Sequence, residues 1–262
     1  MIKKITFFLV LLLSTIGFSQ KLSTTLMGSN KIVCNTYVGF DTLGDFYFIK
    51  DNVFYKKSKS QLWQYKNVAL GKISSVDIIN PLQIVLFYEQ FNTVLLLDNQ
   101  LNEIQKINFS SINNSTVISN TGLSARNQLW FYNSINQKIG LFDYKKIAFT
   151  EFPIPFQGTI KNTQSDYNNF YWIDDLNHFY SIDIFGKTNL HCTVPAYDKI
   201  QIIDNERILF SVNHKLYLLN YAKKSIIEIE IVENSFQSFY YKDQNLAIFT
   251  DQQIKNYKIK LP

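Results

Sequence analysis

A run of aromatic, aliphatic and β-branched residues returns six times along this chain, each time ending in a short polar turn. The runs are Tyr47-Phe48-Ile49-Lys50-Asp51, Leu86-Phe87-Tyr88-Glu89-Gln90, Trp130-Phe131-Tyr132-Asn133-Ser134, Tyr171-Trp172-Ile173-Asp174-Asp175, Leu209-Phe210-Ser211-Val212-Asn213 and Ile248-Phe249-Thr250-Asp251-Gln252. Their starts lie 39, 44, 41, 38 and 39 residues apart. A second alternating run follows each turn, as in Val53–Lys57, Val94–Asp98, Ile139–Asp143, Phe179–Asp183 and Leu216–Asn220. Four of these five close on Asp or Asn, whose side chains bond their own backbone and start turns.

Each unit contains two further strand-like segments. One precedes the aromatic run, as at Ser75–Ile79, Thr116–Asn120, Ile200–Ile203 and Phe236–Tyr241. The other closes the unit, as at Leu62–Tyr65, Glu103–Asn108, Ala148–Phe152, Asn189–Val194 and Ile226–Ile231. Four strands at a period near forty, with aromatics at 16% and only two Met, predict an all-β chain. The fold expected is a six-bladed β-propeller. The sixth unit holds three strands, ending with Gln253–Ile259. An N-terminal strand, Lys21–Met27, is expected to supply its fourth and close the ring, which removes free sheet edges. A seventh blade does not fit in the chain that precedes the first repeat.

The first 19 residues read as a signal peptide. Lys3 and Lys4 precede an apolar core from Ile5 to Leu13, and Gly17-Phe18-Ser19 offers small residues for cleavage before Gln20. The segment resembles signal peptides of the Bacteroidetes phylum. No later segment has the apolar length of a membrane span. The expectation is one propeller domain over residues 20–262, exported to the periplasm or outer membrane, or released beyond it.

The formal charge of +5 includes Lys3 and Lys4, which leaves too little basic excess to argue for nucleic acid. Arginine appears only as Arg126 and Arg207. Bidentate anion recognition favours arginine, so this scarcity weighs against it. Export exposes Cys34 and Cys192 to oxidising conditions. The repeat places them on opposite sides of the ring, beyond the reach of a disulfide, so two free buried thiols are expected.

The blade pattern resembles the broad superfamily of WD-repeat, NHL-type and quinoprotein-like propellers. The chain as a whole resembles exported propellers of flavobacterial type. The resemblance is architectural: there is no Trp-Asp dipeptide, Gly-His pair or NHL tripeptide, so no functional residue carries over. Asp41-Thr42-Leu43 resembles the Asp-Thr-aliphatic O-glycosylation signal of Bacteroidetes exported proteins.

Chemistry-bearing motifs are sparse. His178, His191 and His214 lack ligand spacing. His191 and Cys192 are strand neighbours, whose side chains point to opposite faces of a regular strand. There is no nucleophile elbow and no glycine-rich phosphate loop. Trp130 and Trp172 are expected between blades, and Trp63 on an outer strand. Asp51, Glu89, Asp175 and Asp251 fall at equivalent second-to-third-strand turns, which collect on one face of the disc. They are the candidate interaction face, although Asp is also simply a good turn residue. No catalytic, cofactor-binding or metal residue is expected, and the inventory weighs against an enzyme. The reading is a non-catalytic, exported interaction scaffold with a protein partner in the cell envelope. The alternatives are a channel-mouth lyase or hydrolase on glycans or lactones, with or without calcium, and an envelope ligand-sensor module.

Overall fold

The computed structural model describes residues 21–262; the expected leader over 1–19 lies outside the described residues. The described residues begin with β1 (Lys21–Leu22) and β2 (Thr25–Lys31), and the strands form six sheets. Blade one is β3 (Thr36–Phe40), β4 (Phe46–Lys50), β5 (Val53–Lys57) and β6 (Leu62–Tyr65). Blade two is β7 (Ser75–Asp77), β8 (Ile84–Tyr88), β9 (Thr93–Leu97) and β10 (Glu103–Asn108). Blade three is β11 (Ile118–Leu123), β12 (Gln128–Asn133), β13 (Lys138–Asp143) and β14 (Ala148–Glu151). Blade four is β15 (Ile160–Ser165), β16 (Asn169–Asp174), β17 (His178–Asp183) and β18 (Thr188–Thr193). Blade five is β19 (Lys199–Ile202), β20 (Arg207–Val212), β21 (Lys215–Asn220) and β22 (Ser225–Ile229). Blade six is β23 (Ser238–Lys242), β24 (Asn245–Phe249) and β25 (Gln253–Lys258) with β2 as its outer strand. The chain is a six-bladed β-propeller.

The aromatic runs are continuous because second and third strands are buried on both faces. Alternate residues of a strand point opposite ways, and in a blade each way is a seam with a neighbour. On β8, Val85 and Phe87 enter the core shared with blade three, while Ile84, Leu86 and Tyr88 enter the core shared with blade one. On β16, Phe170 and Trp172 face blade three, and Tyr171 and Ile173 face blade five. The expected inter-blade place of Trp130 and Trp172 is therefore found. Six core clusters fill the six seams.

The closing strand is displaced from the expected one. Thr25–Lys31, not Lys21–Met27, pairs antiparallel with Gln253–Lys258, from Thr25 opposite Lys258 to Lys31 opposite Gln253. Lys21 and Leu22 instead run parallel to β22, adding a fifth strand to blade five. Leu22 packs into the core between blades five and six. The N-terminal segment thus binds two blade edges rather than one.

Blade three also starts later than expected, at Ile118. The preceding link forms a short helix α1 (Phe109–Ile112), capped by the Asn108 side chain on the Ser111 N–H at 2.9 Å. The Asn92 side chain then holds the link: its amide donates to the Thr116 carbonyl at 2.6 Å and accepts from the Ile118 N–H at 2.9 Å. This insertion accounts for the longest repeat interval.

Both cysteines are unpaired, as expected, but half-buried. Cys34 lies in the link between β2 and β3 rather than on a strand, and Cys192 lies on β18. Burial pushes the Cys34 thiol up to about 11.

Candidate functional site

Strand direction alternates within each blade, so all second-to-third-strand turns emerge at one face, here the top face. Asp51, Glu89, Asp175 and Asp251 all lie there and all are exposed. Asp51 and Asn52 have φ of 51° and 60°, the two left-handed residues of a two-residue hairpin turn. Glu89 opens a 3₁₀ turn and lines the mouth of the central channel. Asp251 accepts a hydrogen bond from Gln237 Nε2 at 2.6 Å. The four acids sit on blades one, two, four and six, and of them only Glu89 is part of the channel wall.

Asp41 has a different role. Its carboxylate is buried, accepts from the Leu43 and Asp45 N–H groups and from the Tyr47 hydroxyl at 2.8 Å, and approaches the buried Lys56 ammonium at 3.9 Å. Thr42 beside it is exposed on a bottom-face turn.

The channel has a volume of 960 Å³ and is lined chiefly by the innermost strands. Strand register places six residues at equivalent positions around it: Gly39, Asp77, Gly122, Gln164, Gln201 and Tyr240, paired with Tyr47, Val85, Trp130, Tyr171, Leu209 and Ala247. Most reach to the next blade. Gln164 Nε2 donates to the Ile202 carbonyl at 2.6 Å, and the Ile202 N–H returns a bond to Oε1 at 3.0 Å. Gln201 makes the same pair with Tyr241. Asp77 Oδ2 accepts from the Leu123 N–H at 2.7 Å. A side-chain amide that replaces a peptide group satisfies a donor and an acceptor together.

The two glycines receive their neighbours. A Cβ on Gly39 would stand 2.9 Å from the Tyr240 ring, and one on Gly122 would collide with the Ser165 hydroxyl and stand 3.2 Å from Asp77 Oδ2.

Asp77 is the one acid of this ring. Burial raises its carboxyl above the ordinary value, against the opposing pull of the Leu123 and Ile79 N–H groups and of Lys242. Tyr240 and Tyr167 feel its charge in turn. The channel thus brings together Asp77 from blade two, Ser165 from blade four, and Tyr240 and Lys242 from blade six. None of these was singled out from sequence. Their signal lay in the repeat register, where an acid stands in the place of two glutamines.

The histidines are dispersed. His178 Nδ1 lies 3.0 Å from Asp174 Oδ2, and His214 Nδ1 lies 3.2 Å from the Phe236 carbonyl. His191 Nε2 lies 2.7 Å from Ser181 Oγ, and its Nδ1 lies 3.1 Å from the Tyr221 hydroxyl. Burial lowers the His191 pKa, which favours the neutral ring. The strand alternation expected at His191 and Cys192 does not hold. A bulge pairs Phe179 with Cys192 but Tyr180 with Leu190. Two residues then oppose one, and both side chains turn toward blade five. Ser181 is buried at the seam, out of reach of a substrate. Among the described residues there is no group of three or more His, Cys, Asp or Glu able to hold a metal ion, and no helix long and apolar enough to cross a membrane.

No protein-family model matches the chain, and no curated protein matches its sequence. Solved structures similar to it are β-propellers. Virginiamycin B lyase from Staphylococcus aureus aligns at 15% identity over 94% of this chain and 97% of that one, with a TM-score of 0.57. PorZ, described as an essential surface component of the type-IX secretion system of Porphyromonas gingivalis, aligns at 11% identity over 85% of this chain and 32% of that one, with a TM-score of 0.51. YCF48 bound to D1 peptide aligns at 10% identity over 88% of this chain and 82% of that one, with a TM-score of 0.52. At these identities the likeness shows the fold, and the fold is shared by a lyase, a secretion-system surface component and a peptide-bound propeller.

Proposed function

We propose that this chain is an exported, non-catalytic β-propeller that serves as a protein-interaction scaffold in the bacterial cell envelope. The observation that carries the reading is the composition of the top face. Ile135, Ile154 and Leu176, on the adjoining blades three and four, are 66%, 78% and 68% exposed. Phe91 adds an exposed aromatic at the equivalent turn of blade two. Exposed apolar groups rimmed by charge mark protein interfaces, and Glu89 and Asp175 stand beside them in sequence. The polar groups of the inner ring, by contrast, are largely engaged in joining blades. A propeller neighbour bound to a peptide and another at a bacterial surface are consistent with this use of the fold.

The test places a photo-crosslinking residue at Leu176, with the outer-rim position Ile104 as control, and irradiates envelope fractions. A discrete adduct is expected from Leu176 alone. Ile135→Asp should abolish it with folding retained. Neutralising Asp51, Glu89, Asp175 and Asp251 to Asn or Gln should weaken it and remove its salt sensitivity. Equal adducts from both positions, or none, defeat the reading. Fractionation of cells tests the export that the first 19 residues imply.

A second reading, a lyase or hydrolase at the channel mouth, draws on the channel and on the fold shared with virginiamycin B lyase. Turnover of a glycan or lactone that is lost in Glu89→Gln would favour it.

A further inference from the structure

We propose that the central channel binds a small zwitterionic ligand, an amino acid or short peptide, with its ammonium group on Asp77 and its carboxylate on Lys242. The inference goes beyond the scaffold reading and does not depend on it.

The argument starts from a comparison within the ring. Asp77, Gln164 and Gln201 occupy equivalent positions and each bonds the following blade's inner strand. The glutamines do this as neutral amides that donate and accept. Asp77 only accepts: from the Leu123 N–H across the seam, from the Ile79 N–H of its own blade and from the Ser165 hydroxyl. A neutral amide suffices for the contact with the next blade at positions 164 and 201, so joining the blades does not by itself call for a charge here. A charge in a confined site is costly unless something compensates it, and such groups gather where ligands bind.

The compensating group is not a close ion pair. Lys242 lowers the Asp77 pKa from a distance, and among the described residues its ammonium makes no ion pair with Asp77. The two charges line the same channel from blades two and six. A dipolar molecule in the channel would meet them with opposite polarity. The channel volume of 960 Å³ exceeds that of a single amino acid and admits a short peptide. The Ser165 hydroxyl, for which Gly122 leaves room, donates to Asp77, and its oxygen can still serve as an acceptor for an ammonium proton. Tyr240 lines the wall near Asp77 and offers a second.

Calorimetric titration of the purified protein with triglycine, N-acetyl-triglycine and triglycinamide tests this, with free glycine and leucine separating an amino-acid site from a peptide site. The expected result is binding of at least one zwitterion, with loss of either terminal charge weakening it about ten-fold or more. Asp77→Gln, which installs the amide already present at positions 164 and 201, should remove the preference for a free ammonium while the thermal midpoint stays level or rises. Lys242→Gln should remove the preference for a free carboxylate. Two results would overturn the proposal: no zwitterion binds at about 10 mM, or the blocked peptides and both variants bind as tightly as the parents.

Discussion

Gln201 and Tyr241 exchange two hydrogen bonds across a blade seam. Gln201 Nε2 donates to the Tyr241 carbonyl at 2.8 Å, and the Tyr241 N–H donates to Gln201 Oε1 at 2.8 Å. The side chain acts as one more peptide group of a strand that is not there. Asn52 does the same at the top face, donating to the Gly71 carbonyl at 2.7 Å and accepting from the Ile73 N–H at 2.9 Å. With Asn92 and Gln164 this makes four amide clasps between consecutive blades, where apolar packing alone leaves backbone groups of the inner strands and links without partners.

Replacing Gln201 by Leu should therefore cost more than a lost contact. It strands one donor and one acceptor of Tyr241 in a half-buried seam, each worth about 1–3 kcal/mol. Gln201→Glu keeps the acceptor and loses the donor, so it should fall between wild type and Leu. Urea unfolding curves check the order. A Leu variant as stable as wild type means that channel water already satisfies Tyr241.

Gly122 and Ser165 should be coupled. A methyl at 122 meets the Ser165 hydroxyl first and Asp77 next, so Gly122→Ala forces the serine to move or the seam to open. Overpacking of this kind costs about 1–3 kcal/mol. Ser165→Gly removes the obstructing hydroxyl and should restore part of that loss in the double variant. Additive effects in the double-mutant cycle would show that the seam yields elsewhere.

The blades were legible in the sequence because their signal is local and repeated. The run at Leu86 and the run at Trp130 each feed two seams, so every residue must be apolar, and the pattern survives without knowledge of the neighbours. The ring-closing strand was legible only in outline. A three-strand unit demanded a fourth from the N-terminus, but the choice between Lys21–Met27 and Thr25–Lys31 rests on register across more than 200 residues, which no local pattern encodes. The abundance of Asn and Gln gave no hint that Asn52, Asn92, Gln164 and Gln201 join blades, since an amide reads the same in a turn and in a clasp. Asp77 was hidden for a related reason: it follows Ser75 and Val76 in a short strand whose meaning appears only when six inner strands are laid side by side. The turn positions of Asp51, Glu89, Asp175 and Asp251 were legible because turns are readable; a binding role is not written in turns.

The N-terminal segment should stabilise in two unequal steps. Removing residues up to Thr24 deletes β1, with two paired residues and one half-buried leucine. Removing residues up to Lys31 also deletes β2 and exposes the whole outer edge of β25. The first truncation should lower the denaturation midpoint slightly and the second by much more, the longer one losing several backbone bonds at about 1 kcal/mol each and leaving an open edge prone to aggregation. Thermal melts with light scattering distinguish them. If the short truncation costs as much as the long one, the parallel pairing on blade five is what holds the ring.

The acid limb of stability should carry a mark of Asp77. Its carboxyl is raised above the ordinary 3.8 by burial, against the Leu123 and Ile79 N–H groups and Lys242. The other groups around it, Tyr240 and Tyr167, stay protonated through this range, because burial and the Asp77 charge raise both. A folded-state pKa above the unfolded one means that the native state holds the proton more tightly. The contribution of Asp77 is then fully present below the ordinary carboxylate pKa and is lost as pH rises through the raised value. Other carboxylates shape the total curve, so the informative quantity is the difference between wild type and Asp77→Asn. Asparagine does not titrate, and any fixed effect of its altered hydrogen bonding is the same at every pH. As pH rises from the ordinary carboxylate value through the raised one, the variant should gain on wild type as the carboxyl ionises, with a flat difference on either side. A difference that runs the other way, with wild type gaining as pH rises, would mean that Lys242 and the two N–H groups outweigh burial and that the carboxylate is stabilised without a ligand.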